Sequence, residues 1–270
     1  MRTLARSDIL YAIGDVHGRA DLLESLLAFI KTDAEARGRE PKLVFLGDLL
    51  DRGPDSRRAL ELVAQSLKQW PQSRLILGNH DDVFLRIVTD PDPDPDLLDL
   101  WFLNGGGATL VSYGWPGDLV EALTAIQENH PHHLDLLRDA SLVEIDDPFL
   151  FVHAGIDPTR PISTQWRQDC LTIREPFLDY RGPLSHLVVH GHSITESLRP
   201  EIAGCRIALD TGAFGTGRLT ALIIDWEAMT LEFVATTPGT MNAAVEVVLP
   251  VVLAQPILPK WWRLAPNPFV

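Results

Sequence analysis

Three short apolar runs within the first 80 residues constrain the fold of this chain more than any other feature. Each run ends in a glycine followed by a polar side chain: ILYAIGD ends at Asp15, KLVFLGD at Asp48 and RLILGN at Asn79. Runs of this length that are apolar throughout are typical of parallel strands buried on both faces. The segments between them, Ala20 to Gly38 and Ser56 to Gln69, have helical character, so the chain is predicted to begin βαβαβ.

Histidine follows two later apolar runs. PFLFVHAG contains His153, and HLVVHGH contains His190 and His192. Ligands of open sheets bind outside the carboxyl ends of the strands, so we expect the polar residues after all five runs to lie at one edge. His190 and His192 would point to the same side of a strand continuing through their segment, which leaves both as candidates on the residues alone. The predicted edge therefore combines carboxylates, an amide and imidazoles.

The last third of the chain alternates short strands. The runs RIALDT, RLTALIIDW and LEFVATT predict a second, largely antiparallel sheet. Two sheets with helices on their outer faces are the simplest architecture, and no change in composition divides the chain, so we expect residues 1–270 to form a single domain. The apolar segment at about 237–270 is predicted to be a structural strap on its own chain, with a dimer contact as the alternative.

Residues at about 90–140 are predicted to form a helical cap inserted near the site. Its first segment, DPDPDPD, is expected to be an extended connector with an N-cap at Asp96. The stretch NGGGATLVSYG lacks the Lys-Ser/Thr of a nucleotide P-loop, which favours a turn or a tight packing point over a phosphate cradle. The next stretch is predicted to be helical around Pro131. Surface positions are expected for three of its residues, His130, His132 and His133.

Composition and charge exclude several classes of protein. The formal net charge of −14 argues against a nucleic-acid partner, because such binding relies on Lys and Arg neutralising phosphates. Two cysteines are too few for a secreted disulfide scaffold and fit a reducing, cytoplasmic location. An aspartate interrupts the N-terminal residues before they form the apolar region of a signal peptide. The apolar stretch Val247 to Leu258 is shorter than a membrane span and contains two prolines, so no membrane partner is expected.

Five motifs occur in order along the chain: GDVHG, GDLLDRG, GNHD, HAG and GH. Together they resemble the calcineurin-like metallophosphoesterases, specifically the phosphoprotein phosphatase family that includes bacterial Ser/Thr protein phosphatases and diadenosine tetraphosphatase. The resemblance runs from about Ile9 to Asp225. It implies an α/β fold, the calcineurin-like four-layer αββα sandwich with two mixed β-sheets and a helical insertion.

The resemblance also implies a centre of two divalent metal ions. Oxygen and imidazole ligands without thiolate suit manganese (Mn), iron, zinc or cobalt, of which we expect manganese. A carboxylate has two oxygens and can bridge two ions about 3.5–4 Å apart. Asp210 in DTGAFG resembles a family segment close to the ligands and is expected to be structural. The implied ligands are Asp15 and His17 at one ion, Asp48 between both ions, and Asn79, His153 and His192 at the second.

The remaining catalytic residues follow from the same resemblance. A metal-bound hydroxide would attack phosphorus in line. His80 would be the general acid that protonates the leaving oxygen, held in its charged form by Asp51. Arg52 and Arg174 would bind phosphate oxygens, since the arginine fork meets two oxygens at once. A surface ion pair is the alternative for Arg174.

The substrate separates two hypotheses within this class. The first is a Ser/Thr protein phosphatase acting on a phosphorylated protein or a small phosphoester, and the alternative is a symmetrical bis(5'-nucleosyl)-tetraphosphatase. Tetraphosphatases commonly replace the second aspartate of GDLLDRG, and Asp51 is present here, which favours the first. A binding protein that had lost activity would show at least one eroded motif, and none is eroded. We expect a monomer or a weak homodimer.

Overall fold

Two mixed β-sheets form the centre of the computed structural model, which describes residues 9–115, 117–239, 243–255 and 263–264. In chain order the strands are β1 (Ile9–Ile13), β2 (Pro41–Phe45), β3 (Arg74–Leu75), β4 (Val143–Asp146), β5 (Phe149–Val152), β6 (Leu187–His190), β7 (Glu201–Ala203), β8 (Arg206–Ala208), β9 (Thr220–Asp225), β10 (Thr230–Thr236), β11 (Val245–Val247), β12 (Val251–Ala254) and β13 (Arg263–Leu264). The first sheet has the order β11-β10-β9-β1-β2-β3, with β13 also paired to β10, and the second has the order β12-β7-β8-β6-β5-β4.

The helices lie between and outside these strands. In chain order they are α1 (Ala20–Ala36), α2 (Ser56–Gln69), α3 (Asn79–Thr89), α4 (Pro95–Leu103), α5 (Gly106–Ser112), α6 (Leu119–Asn129), α7 (Pro131–Arg138), α8 (Arg167–Thr172) and α9 (Ala213–Thr216). The predicted βαβαβ start is confirmed, because β1, β2 and β3 are parallel and α1 and α2 connect them.

Successive side chains along each strand point to opposite faces of the sheet, and this alternation gives three apolar layers. In β1, Leu10 and Ala12 point between the two sheets, where they meet Phe149 and Phe151 of β5. The other residues of β1 point toward α1 and α2. On the far side of the second sheet, Phe177 and the α8 region cover the remaining face. Each central strand is therefore buried on both sides, which is why its sequence is apolar throughout.

One topological prediction was wrong. The runs RLTALIIDW and LEFVATT form β9 and β10, and these strands complete the first sheet instead of a second one. β9 pairs antiparallel with β1, from Ile9 opposite Asp225 to Ile13 opposite Ala221. All six residues of β9 are buried, as a central position requires. The hydrophobic pattern shows that a strand is buried on both faces but does not identify its partner.

The 90–140 segment forms the helices α4 to α7, as predicted. The predicted N-cap at Asp96 is wrong, because Asp94 caps α4. The Asp94 side chain accepts from the backbone N–H of Asp96, and Pro95 occupies the first helical turn. The glycine-rich stretch is a tight packing point, as expected. A Cβ at Gly106 would lie 2.3 Å from the Trp101 ring, and one at Gly105 would lie 2.7 Å from the backbone nitrogen of Arg52.

The described part of the C-terminal segment adds strands to both sheets. β11 and β13 pair with β10 of the first sheet, and β12 pairs with β7 of the second. The rest of the predicted strap, including Trp261, Trp262 and Phe269, lies outside the described residues. None of the helices in the described ranges is long and apolar enough to cross a membrane.

Candidate metal centre

The ends of the strands meet at one edge, as predicted, and glycines let their side chains approach closely. The Asp48 Oδ1 atom accepts from the backbone N–H of His80 at 3.0 Å, and a Cβ at Gly78 would lie 2.2 Å from that oxygen. Asp15 accepts from the backbone N–H of His192 at 3.0 Å, and a Cβ at Gly191 would lie 2.0 Å from Asp15 Oδ1. Asp15 of the first sheet thus contacts the strand end of the second.

Backbone carbonyls orient two of the imidazoles. The Nδ1 atom of His17 lies 2.8 Å from the Leu50 carbonyl oxygen, and that of His153 lies 2.7 Å from the Leu46 carbonyl oxygen. A carbonyl can only accept, so Nδ1 carries the proton in both rings, and in the neutral form Nε2 presents a lone pair. These Nε2 atoms lie 3.6 Å and 3.4 Å, respectively, from the two different oxygens of Asp48. In their neutral forms, both rings would therefore face this one carboxylate with an electron-pair donor.

Asn79 brings a further oxygen to the same place. Its Oδ1 atom lies 3.0 Å from His153 Nε2 and 2.8 Å from His192 Nδ1. Two groups of potential ligands result, each with donor atoms within 4.8 Å of one another: His17, Asp48 and His80 in one, and Asp48, His153 and His192 in the other. Asp48 belongs to both groups, which is the arrangement expected of a bridging carboxylate.

The charges at this edge favour a bound cation. Burial and the neighbouring Asp210 raise the pKa of Asp15, which is fully enclosed. Burial would lower the pKa of His153, but the Asp48 carboxylate outweighs it and raises that pKa to about 10. Burial lowers the pKa values of His17 and His192 to about 3, so these rings are neutral at neutral pH. Buried carboxylates that attract positive charge, next to neutral imidazoles, fit divalent cations.

Backbone strain concentrates at the same edge. Of the seven non-glycine residues with positive φ in the described chain, five belong to the predicted site: His17, Asp48, Asp51, Arg52 and His192, with φ values of 45°, 48°, 70°, 68° and 64°. This left-handed region is unfavourable for residues with a Cβ, and such strain clusters at functional sites where packing enforces it.

His80 and Asp51 form the predicted pair. The His80 Nδ1 atom lies 2.7 Å from Asp51 Oδ2. Burial lowers the pKa of His80, but Asp48 and Asp51 outweigh it and raise that pKa above its usual value. The other oxygen of Asp51 accepts from the Thr109 hydroxyl at 2.6 Å and from the Trp101 indole N–H at 3.0 Å.

Thr109 and Trp101 are site residues that the sequence analysis missed. Both lie in the inserted helices, far from the five motifs in the chain, and neither is a residue type that marks a reaction. The available indication was the glycine run between them, because Gly105 and Gly106 allow the insertion to pack closely against Arg52 and Trp101.

The two predicted arginines occupy different positions. Arg52 donates through Nη1 to His17 Nε2 at 3.0 Å and through Nη2 to His80 Nε2 at 3.2 Å, and its guanidinium lies 4.7 Å from the centre of the Phe214 ring. Arg174 is exposed, and its charge contributes to the lowered pKa of His192. It forms no ion pair with an acid within the described ranges. Both arginines are exposed residues.

His190 lies away from the ligands. Its ring is fully buried and contacts Phe177 edge to face, with 5.1 Å between ring centres. His192 instead follows the end of β6 and turns toward Asn79. Of the two candidates, the geometry places His192 at the edge.

Residues 10–196 match the family model described as calcineurin-like phosphoesterase, and the chain belongs to this family. Two curated relatives carry the name "Bis(5'-nucleosyl)-tetraphosphatase, symmetrical". The protein from Hamiltonella defensa subsp. Acyrthosiphon pisum is 34% identical over 150 residues, covering 55% of this chain and 44% of the relative. The protein from Serratia proteamaculans is 31% identical over 207 residues, covering 75% of this chain and 62% of the relative. The chain thus spans less than two thirds of the length of these relatives.

Solved structures of phosphatases share the fold. A protein serine/threonine phosphatase from Saccharomyces cerevisiae matches with a TM-score of 0.53 and 14% identity, covering 94% of this chain and 83% of that one. A cold-active protein tyrosine phosphatase matches with a TM-score of 0.52 and 15% identity, covering 92% and 82%. Together with the two mixed sheets, these likenesses confirm the predicted calcineurin-like fold.

The Thr109 hydroxyl provides a test of how Asp51 is held. Thr109→Val keeps the shape of the side chain but removes the hydroxyl that donates to the Asp51 carboxylate and accepts from the Asp51 backbone N–H, so we expect kcat to fall about tenfold while metal content stays unchanged. Ser112→Ala, on the same helix and without a contact to Asp51, is the matched control. Steady-state kinetics with metal analysis decide the matter, and an unchanged kcat in Thr109→Val would show that this hydrogen bond does not support the site.

Proposed function

We propose that this calcineurin-like phosphoesterase hydrolyses dinucleoside tetraphosphates symmetrically. The observation that carries the proposal is the name shared by the curated relatives, of which one from Ralstonia nicotianae is 28% identical and is covered over 87% of its length. This is the alternative from the sequence analysis, and it is better supported than a Ser/Thr protein phosphatase. The site geometry is compatible with both substrates, because each reaction displaces an oxygen from phosphorus.

The donors at the sheet edge would hold two divalent cations, and manganese is the proposed metal at both positions. When bound, such ions supply a water of lowered pKa at neutral pH and positive charge for phosphoryl oxygens. The proposed ligands are Asp15, His17, Asp48, Asn79, His153 and His192.

Arg52 and His80 would act in sequence on the substrate. In the structure Arg52 donates to the Nε2 atoms of both His17 and His80, so neither of these nitrogens carries a proton in this arrangement. A phosphate group would attract the guanidinium fork away from the imidazoles. His80 could then be protonated at Nε2, stabilised by Asp51 at Nδ1, and donate that proton to the leaving oxygen.

Phe214 offers a surface for a nucleobase. The residue is 37% exposed, and the centre of its ring lies 5.6 Å from that of the His17 ring and within cation–π distance of Arg52. Bases stack on aromatic rings with a favourable energy of about 1–3 kcal/mol. A base bound here would place its phosphates beside Arg52, which suits a nucleotide substrate better than a peptide.

A Ser/Thr protein phosphatase remains the second candidate because of Asp51. The carboxylate holds His80 at 2.7 Å and favours its charged form. A serine alkoxide is a poor leaving group and depends strongly on a general acid, whereas a nucleoside diphosphate leaves more readily.

Substrate preference distinguishes the two candidates. With manganese present, we expect kcat/KM for diadenosine tetraphosphate to exceed that for a phosphoserine peptide by at least about tenfold, with two molecules of ADP as products. Phe214→Ala should raise KM for the dinucleotide several-fold but should affect a phosphoserine peptide without aromatic residues little, since only the dinucleotide carries a ring that can stack. Chromatography of products over a substrate panel measures both. A tenfold preference for the phosphopeptide would reverse the proposal.

Loss of the imidazole tests the role of His80. His80→Asn should lower kcat on phosphoserine by about 10²–10⁴, the scale of a positioned general acid, and leave both metals bound. The defect should be smaller on an activated aryl phosphate, whose leaving group needs less protonation. Loss of one equivalent of metal would instead show that His80 is a ligand. The structure allows this role, because His80 belongs to one of the two groups of potential ligands.

A further inference from the structure

A separate cluster of potential ligands lies where α7 packs against α2. His130 ends α6, and His132 and His133 lie in the first turn of α7. The ring centres of His132 and His133 are 4.3 Å apart, and those of His130 and His133 are 5.3 Å apart with the rings stacked. One nitrogen from each of the three rings lies within 4.8 Å of the others. The predicted surface position is wrong for His133, because its side chain is 1% exposed.

Glu61 of α2 faces two of these rings. Its Oε2 atom lies 3.2 Å from His132 Nε2 and 3.4 Å from His133 Nε2. Its other oxygen accepts from the Gln65 side-chain amide at 2.7 Å, one turn further along the same helix. The carboxylate is thus oriented from behind, with one oxygen directed at the imidazoles.

Tyr113 holds His133 from the opposite side. The tyrosine hydroxyl lies 2.7 Å from His133 Nδ1, and the Tyr113 ring also contacts His130 edge to face. A hydrogen bond to the far nitrogen is the usual outer support of a metal-binding imidazole. When Nδ1 donates to the tyrosine hydroxyl, the Nε2 atom, which faces Glu61, presents its lone pair. Burial and the neighbouring His132 lower the pKa of His133 to about 4, so the ring is neutral at neutral pH.

Hydrogen bonds do not account for the whole cluster. They explain the contacts of His132 and His133 with Glu61 and of His133 with Tyr113. Within the ranges that the structure describes, the His130 side chain forms no hydrogen bond and meets the others only through its ring. Three imidazoles in mutual contact would repel one another if protonated, whereas a cation among their nitrogens would draw them together.

We propose that this cluster binds a single Zn²⁺ ion that fastens α7 to α2. Three imidazole nitrogens and one carboxylate oxygen are donors that zinc accepts in four-coordinate sites. The ion would join two helices of the insertion to the helix that begins beside Asp51. Its four ligands would be Glu61, His130, His132 and His133.

The test separates this ion from those at the strand ends. The Asp48→Asn substitution weakens the catalytic centre. After dialysis against micromolar zinc, protein with this substitution should retain one equivalent of zinc per chain, bound at this cluster. Adding His132→Ala or the isosteric Glu61→Gln should remove that equivalent. The matched control is His186→Ala, which removes another imidazole that contacts a carboxylate, that of Asp147, at 2.9 Å. Elemental analysis by mass spectrometry measures the zinc.

Thermal unfolding gives an independent measurement. Zinc at about ten times its dissociation constant should raise Tm of the Asp48→Asn protein by about 3–5 °C, and His132→Ala should abolish that rise. The His132 side chain is 53% exposed, so its removal leaves the core intact. In the otherwise native protein, His132→Ala should leave kcat on a small substrate within about twofold. Equal zinc content and equal Tm shifts with and without His132 would overturn the proposal, whatever substrate the enzyme hydrolyses.

Discussion

The Asp48 carboxylate is the group on which the arrangement of this site depends. It is buried, and its two oxygens face imidazoles from the two different sheets, at 3.6 Å from His17 and 3.4 Å from His153. A buried carboxylate without a compensating charge costs several kcal/mol. The Asp48 carboxylate raises the pKa of His153 to about 10, so a protonated imidazole balances part of its charge, and divalent cations would take the place of that proton. The fold therefore holds this carboxylate where it attracts positive charge.

The two sheets cooperate to create this position. Asp48 follows β2 of the first sheet, while His153 follows β5 of the second and is oriented by the Leu46 carbonyl across the sheet interface. Asp15 makes the reciprocal contact with the backbone of His192. Left-handed backbone at both Asp48 and His192 turns the chain sharply at these strand ends. Packing between the sheets stabilises this strain and fixes the positions of the donors.

The sequence predicts the local parts of this arrangement better than the distant ones. The apolar runs predicted the strands before Asp15, Asp48 and Asn79, because burial on both faces requires an unbroken apolar sequence. The pairing of β9 with β1 was not predictable, since it depends on which strands meet after the chain has folded. Trp101 and Thr109 were missed for the same reason, and the burial of His133 depends on packing between helices that are distant in sequence. Local pattern identifies what a segment can form, whereas tertiary contacts decide what it touches.

Diffraction from crystals of the manganese-loaded protein tests the bridging role of Asp48 most directly. Anomalous scattering should show two peaks about 3.5–4 Å apart, each within bonding distance of a different Asp48 oxygen. One peak should lie beside Asp15 and His17, and the other beside His153 and His192. A single ion at this edge, or two ions that do not share Asp48, would contradict the account.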